Sequence, residues 1–395
     1  MTSAKDTSDI SKEATEPTQP PPPSNQVDDR YSVFTKAEKW SIVAIASFAS
    51  WTSNLSAFIY LPALEPLSDN FSISIGQINL TLTVYMAVAA IAPILVGDAA
   101  DVLGRRLVYF TTLGIFLIAC IAIALARTYD QLLGFRALQA LGQSGIILIG
   151  YGVVSDIASP AERGSFMSVI SFAITVGPSV GPILGGVLCY AASWRWIFWF
   201  LVINASLCFV AVVFLCPETS RHLVGNGSIP PSRLRRLPVN FSSYCRHWDQ
   251  NSDSTSGNPA KIPNPIRSLQ LLLRKDNAVV VLAWGLMYTV YSCLIATLST
   301  LFIEIYHLNE WQSGIIYLPI ALGGTLSTFF SGWLLDKVYR RSRAKLGLPT
   351  DKVQGDDLDT FPIEKARVQV IWIPMLIIAV STISYGWVLQ LRVVC

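Results

Sequence analysis

The chain has 395 residues, 52% of them hydrophobic and only 14% charged, with a mean hydropathy of +0.47. Soluble domains carry about 25% charged residues, so a water-soluble globule is excluded, and disordered, fibrous and disulfide-scaffold classes fail for the chain as a whole on the same figures. A formal net charge of +3 does not point to nucleic acid.

Residues 1–35 come first and read as a disordered cytosolic tail, holding Pro20–Pro23 among many Ser, Thr, Asp and Glu. Nine stretches free of Asp, Glu, Lys and Arg follow: Ser41–Leu64, Asn70–Gly97, Leu107–Ala126, Ala137–Ser155, Gly164–Trp194, Trp196–Pro217, Asn277–Ile303, Trp311–Leu335 and Val368–Leu391. Each is long enough to cross about 30 Å of hydrocarbon as a helix. Lipid offers the backbone no hydrogen-bond partner, so runs without period-2 alternation predict helices. The fourth helix is predicted to start near Leu132, which places Arg136 inside the membrane. The seven cysteines show no CxxC spacing, and most lie inside apolar runs, which suits buried hydrophobes better than bridges or metal ligands.

Charge placement gives the topology. Between the sixth and seventh spans, residues 218–276 carry nine Lys/Arg against four acids. The turn after the second span has Arg105 and Arg106, and the turn after the eighth has Lys337, Arg340, Arg341, Arg343 and Lys345. The opposite loops are poor in base. Positive charge stays cytosolic, which places the N-terminus and the central loop 218–276 in the cytosol.

One pattern occurs twice. Gly97-x-x-x-Asp101-x-x-x-Arg105-Arg106 follows the second span, and Gly332-x-x-x-Asp336-x-x-x-Arg340-Arg341 follows the eighth. Two halves that share a loop motif, separated by a long polar loop, are the mark of a repeat-built transporter. The aspartate and arginines sit at cytosolic helix ends, where charge-assisted bonds can hold one conformation closed.

On these residues the chain resembles the major facilitator superfamily, in its fungal drug:proton antiporter branch of quinidine- and polyamine-type exporters. Gly97, Asp101, Gly104, Arg105 and Arg106 match the family's first-loop motif. Arg136, Gln139 and Gly142 match its fourth-helix R-x-x-Q-x-x-G pattern, and Gly177, Gly181, Pro182, Gly185 and Gly186 match its fifth-helix antiporter motif. Pro217-Glu218-Thr219 closes the sixth helix as in many exporters, and Asp156 lies after the fourth. The resemblance implies an all-α polytopic membrane protein built as a helical bundle. Residues 36–217 form a six-helix N-terminal half, and 277–395 form a partial second half of three helices. Helices ten to twelve of the family's pattern are absent from the sequence, as a truncation would leave it.

The resemblance further implies proton-coupled efflux of drugs, toxins or secondary metabolites by alternating access, with no cofactor or metal. The cargo implied is small, amphipathic or cationic. The protein would act as a monomer in the plasma membrane or a vacuolar membrane, in contact with protons and lipid and with no nucleic acid. An uptake symporter of the same fold and a non-transporting product are the alternatives. Arg136 and Gln139, one helical turn apart, are candidates for the transport cavity with Asn54 and Tyr85. Arg136 either faces a watery cavity or snorkels outward. Asp101, Arg105, Arg106 and Asp156, with Gly97 and Gly104, are candidates for a cytosolic gate, and Glu304 for proton coupling. The fifth-helix glycines are expected to make a stiff, kinked contact with the eighth span. The sequence carries no HExxH, P-loop or GxSxG signature of an enzyme.

Overall fold

A computed structural model describes residues 31–230, 273–306, 312, 315–345 and 372–391. The expected disordered tail, most of the central loop, and the side chains of Glu304, Asp336 and Arg340 lie outside the described residues. The described structure is helical, and seven of its helical segments are long and apolar enough to cross a membrane.

Local chemistry sets the helix boundaries. α1 (Lys36–Phe58) starts at a reciprocal cap: the Glu38 backbone N–H donates to Thr35 Oγ1, and the Thr35 N–H donates to Glu38 Oε2 at 2.8 Å. A 3₁₀ turn at Leu61–Ala63 leads into the short α2 (Leu64–Phe71). Ser74 and Gln77 repeat the reciprocal cap for α3 (Ile75–Leu103). Gly104, at φ 98°, then turns the chain into α4 (Arg105–Ala124), a conformation that favours glycine. The fourth span begins three residues before the predicted Leu132, because Thr128 caps α5 (Tyr129–Gln143). The chain breaks at Ser144-Gly145 and resumes as α6 (Ile146–Ile157). α7 (Pro160–Ala191) opens on a proline at its first turn and continues through Pro178 and Pro182. α8 (Trp194–Leu215) and the single turn α9 (Arg221–Val224) come next.

α10 (Lys275–Tyr306), α11 (Leu318–Lys345) and α12 (Trp372–Leu391) follow. The eighth and ninth predicted spans fall on α11 and α12, whose described apolar stretches, Leu318–Ser327 and Met375–Trp387, are shorter than a full crossing. The repeat motif at Gly332–Arg341, read from sequence as a turn, lies on a helix that runs unbroken to Lys345.

Two apolar clusters hold the N-terminal bundle together. One joins Leu55, Phe58, Ile78, Phe116, Leu132, Phe198 and Leu201. The other joins Ile42, Val43, Val108, Leu113, Ile149, Val153, Ile170 and Val212. α1 and α4 contribute to both. The outward faces carry exposed Ile91, Leu95, Ile118, Ile203 and Leu207, a pattern that lipid accepts and water does not.

Candidate functional site: a caged arginine and a charge node

Arg136 lies about two turns inside α5 and is 0% exposed. Its guanidinium carbon sits 4.0 Å from the centre of the Tyr60 ring and 4.2 Å from that of Tyr85. Both contacts are cation–π distances. Nη1 donates to Gln139 Oε1 at 2.6 Å, and Gln139 Nε2 in turn donates to Cys120 Sγ at 3.3 Å. Nε and Nη2 are buried and have no hydrogen-bond partner. The arginine neither snorkels nor faces open water; protein encloses it.

A hydroxyl and amide network continues from the cage. Tyr85 Oη accepts from Gln143 Nε2 at 2.5 Å and lies 3.3 Å from Ser56 Oγ. Ser53 Oγ lies 2.6 Å from Gln143 Oε1, and Tyr60 Oη lies 2.8 Å from Thr81 Oγ1. The structure thus unites Arg136, Gln139 and Tyr85 but not Asn54, whose Nδ2 donates to the Ile174 carbonyl at 2.5 Å and fastens α1 to α7. Sequence reasoning passed over Gln143, although it sits one turn beyond Gln139 on the same face of α5.

Three of the antiporter-motif glycines face α1 and the residue that follows it. A Cβ on Gly177 would stand 3.1 Å from the Leu55 backbone nitrogen, and one on Gly181 would stand 3.0 Å from that of Ile59. One on Gly185 would strike the Ile59 carbonyl oxygen. Gly177, Gly181 and Gly185 therefore seat α7 against α1. The eighth span, α11, meets α7 elsewhere, where Gly324 faces Thr175. Pro182 and Gly186 are buried on the same helix.

Of the predicted gate residues, Asp101, Arg105 and Asp156 converge. Arg105 Nη2 lies 2.6 Å from Asp101 Oδ1, and its Nε lies 3.1 Å from Asp156 Oδ2. Gly152 makes room, since a Cβ there would stand 2.8 Å from Arg105 Cζ. Gly97 lets α3 approach Leu148 of α6. Glu218 completes the node: its Oε1 accepts from the backbone N–H groups of Arg105, Thr219 and Ser220 at 2.9, 3.1 and 3.1 Å. The carboxylate thus sits at the N-terminus of α4, where the helix dipole favours an anion. Arg106 Nη2 donates to the Val213 carbonyl at 2.8 Å. Arg221 donates to the carbonyls of Asp156 and Tyr31 at 2.8 and 2.7 Å. A cavity of about 550 Å³ adjoins the node, lined by Pro93, Gly97, Asp98, Asp101, Arg105 and Tyr151 among others. Burial, with Glu218 nearby, pushes the Cys216 thiol just beyond α8 up to about 12. Among the described residues no cluster of His, Cys, Asp and Glu has the makings of a metal site.

Comparison with known proteins places this arrangement. The chain is 36% identical over 371 residues to the MFS-type transporter phiD of a fungal species, covering 92% of this chain and 56% of that protein. It is 32% identical over 363 residues to citrate exporter 1 of Aspergillus niger, covering 90% and 69%. It is 30% identical over 385 residues to the multidrug transporter QDR2 of Candida glabrata, covering 92% and 66%. The chain therefore spans between about half and about two thirds of the length of these relatives. In fold it is similar to a bacterial homologue of the human lysosomal transporter Spinster, with a TM-score of 0.55 at 17% identity over 78% of this chain and 64% of that one. Residues 46–350 match the Major Facilitator Superfamily, and with the relatives above this shows that the chain belongs to that superfamily.

Proposed function

We propose that this chain exports small organic molecules across a membrane by proton-coupled antiport, using alternating access. The observation that carries the reading is Arg136. A guanidinium two turns inside a membrane helix costs about 2.5–3.5 kcal/mol on insertion scales, and here it is held away from both surfaces between two tyrosine rings. Such a charge, placed in a core otherwise tied by neutral groups, is a functional feature by default.

The domain plan of the proposal assigns residues 36–217 to the N-terminal half, 218–276 to a cytosolic loop and 277–395 to second-half helices. The node of Asp101, Arg105, Asp156 and Glu218 serves as the cytosolic latch. Its ion pairs join the α3–α4 turn to the end of α6, so opening that side means breaking them. The α7 glycines keep α1 and α7 moving as one body. Glu304 remains the candidate proton carrier, and the plasma membrane or the vacuolar membrane the proposed site of a monomeric carrier. The similarity to the multidrug transporter QDR2 and to citrate exporter 1 supports small-molecule export.

The test is expression of the chain in a host stripped of its own efflux pumps, with drug tolerance and efflux of preloaded label as readouts. Export predicts faster loss of label than in the empty host, and a protonophore should abolish it. Net accumulation of label in intact cells would instead indicate uptake. Tolerance and efflux equal to those of the empty host would refute the reading.

A further inference from the structure

The hydrogen-bonding pattern of Arg136 is lopsided. Gln139 holds Nη1, the two tyrosine rings cover the faces, and Nε and Nη2 are left without partners. Those two nitrogens lie on one edge of the planar guanidinium. That edge presents two parallel N–H donors at the spacing of the two oxygens of a carboxylate. A buried donor left unmade is costly, and a buried cation without a counter-charge more so. The side chains packed on Arg136 and Gln139 are Tyr60, just before the 3₁₀ turn, Tyr85 of α3 and Cys120 of α4; none of them is a carboxylate. Gln139 and Gln143 add neutral amides.

We infer that the unpartnered edge of Arg136 is the recognition site for a carboxylate of the cargo, so that the transported molecules are organic anions and not cations. The inference rests on the transport reading and narrows its cargo. A carboxylate on Nε and Nη2 would supply the missing charge and both missing acceptors at once. The hydroxyls of Tyr60, Thr81, Tyr85 and Ser56 are already bonded among themselves and to the chain, so the charge-assisted contact falls to Arg136 alone. A cationic cargo would meet a fixed positive charge instead, with aromatic faces already occupied by that charge.

The test uses the full chain purified in detergent, with radiolabelled citrate as the probe, and its triethyl ester and tetraphenylphosphonium as competitors. Citrate should bind, and neither the neutral ester nor the cation should displace it. Arg136→Gln should weaken citrate binding by about 10- to 100-fold, the scale of a charge-assisted pair. Arg136→Lys keeps the charge but cannot bridge two oxygens, so its loss should approach that of the glutamine variant. Each variant is compared by its thermal unfolding midpoint, and the ester arm on the wild-type chain decides the matter even where a variant fails to fold. Citrate binding no better than that of the ester, or a lysine variant that binds as the wild type does, would overturn the inference. If citrate fails to bind while gradient-driven flux of tetraphenylphosphonium persists, the anion site falls and the transport reading stands. Arg136-dependent citrate binding with no flux under any gradient would leave the site standing and remove the transport reading.

Discussion

Gly142 and Gly134 lie on the same helix, α5, yet the same substitution should move them in opposite directions. A methyl group at Gly142 would stand 2.5 Å from the backbone nitrogen of Phe116, 2.9 Å from its Cα and 3.0 Å from the Thr112 carbonyl oxygen. All three are backbone atoms of α4 and cannot rotate away. α5 must therefore back off by about 1 Å, at the roughly 1–3 kcal/mol typical of overpacking. The gain in helix propensity from Gly to Ala, about 1 kcal/mol, offsets only part of this. Gly142→Ala should thus lose up to about 2 kcal/mol. At Gly134 a methyl meets nothing within 4 Å, so Gly134→Ala keeps the propensity gain unopposed. Unfolding midpoints of the two variants in the same detergent measure the difference, which is the overpacking cost of about 1–3 kcal/mol. The shift at Gly142 should also stretch the 3.3 Å contact from Gln139 to Cys120 and loosen the Arg136 cage. Equal midpoints, or a more stable Gly142→Ala, would refute the close α4–α5 contact.

Four further outcomes follow from the charge node and its surroundings. Arg105 is shared between Asp101, whose side chain is 65% exposed, and Asp156, at 11%. Solvent screening leaves the first pair worth at most about 1 kcal/mol, whereas the second should cost about 1.5–3 kcal/mol to remove. Asp156→Asn should therefore destabilise the chain clearly more than Asp101→Asn in denaturation, and a reversed order would contradict the assignment. Gly104→Ala should lose at least about 1 kcal/mol from backbone strain alone at φ 98°. The new methyl would also stand 2.9 Å from the Glu218 Cδ and Leu223 Cδ1 atoms. Glu218→Gln tests the other side of that contact and should cost about 1 kcal/mol by removing the anion at the α4 N-terminus. Because burial raises the Cys216 thiol to about 12, it should resist maleimide at pH 8 in the folded protein and react only on unfolding. Rapid labelling of the native chain would show that burial to be wrong.

Much of the membrane architecture is legible in the sequence because lipid imposes a coarse rule: a helix must be long, apolar and nearly free of charge. Charge placement made the convergence of Arg105 and Asp156 readable, since both fall where apolar runs end. Packing partners were not readable in the same way. Gly177, Gly181 and Gly185 announce a close helix contact, but nothing in their spacing says that the partner is α1. The cage of Arg136 depends on tyrosines 76 and 51 residues earlier in the chain, at Tyr60 and Tyr85, and only the fold brings them within about 4 Å. Glu218 was legible as part of a motif. Its task, receiving three backbone N–H groups at the start of α4, appears only once Gly104 has turned the chain toward it.

Flux in reconstituted vesicles tests proton-driven export most directly. With the cytosolic face outward and the vesicle lumen acidified, the chain should drive labelled citrate into the lumen. The protonophore-treated vesicles should show none of this accumulation. Citrate uptake that ignores the pH gradient or matches protein-free vesicles, with tetraphenylphosphonium flux doing the same, would contradict the account.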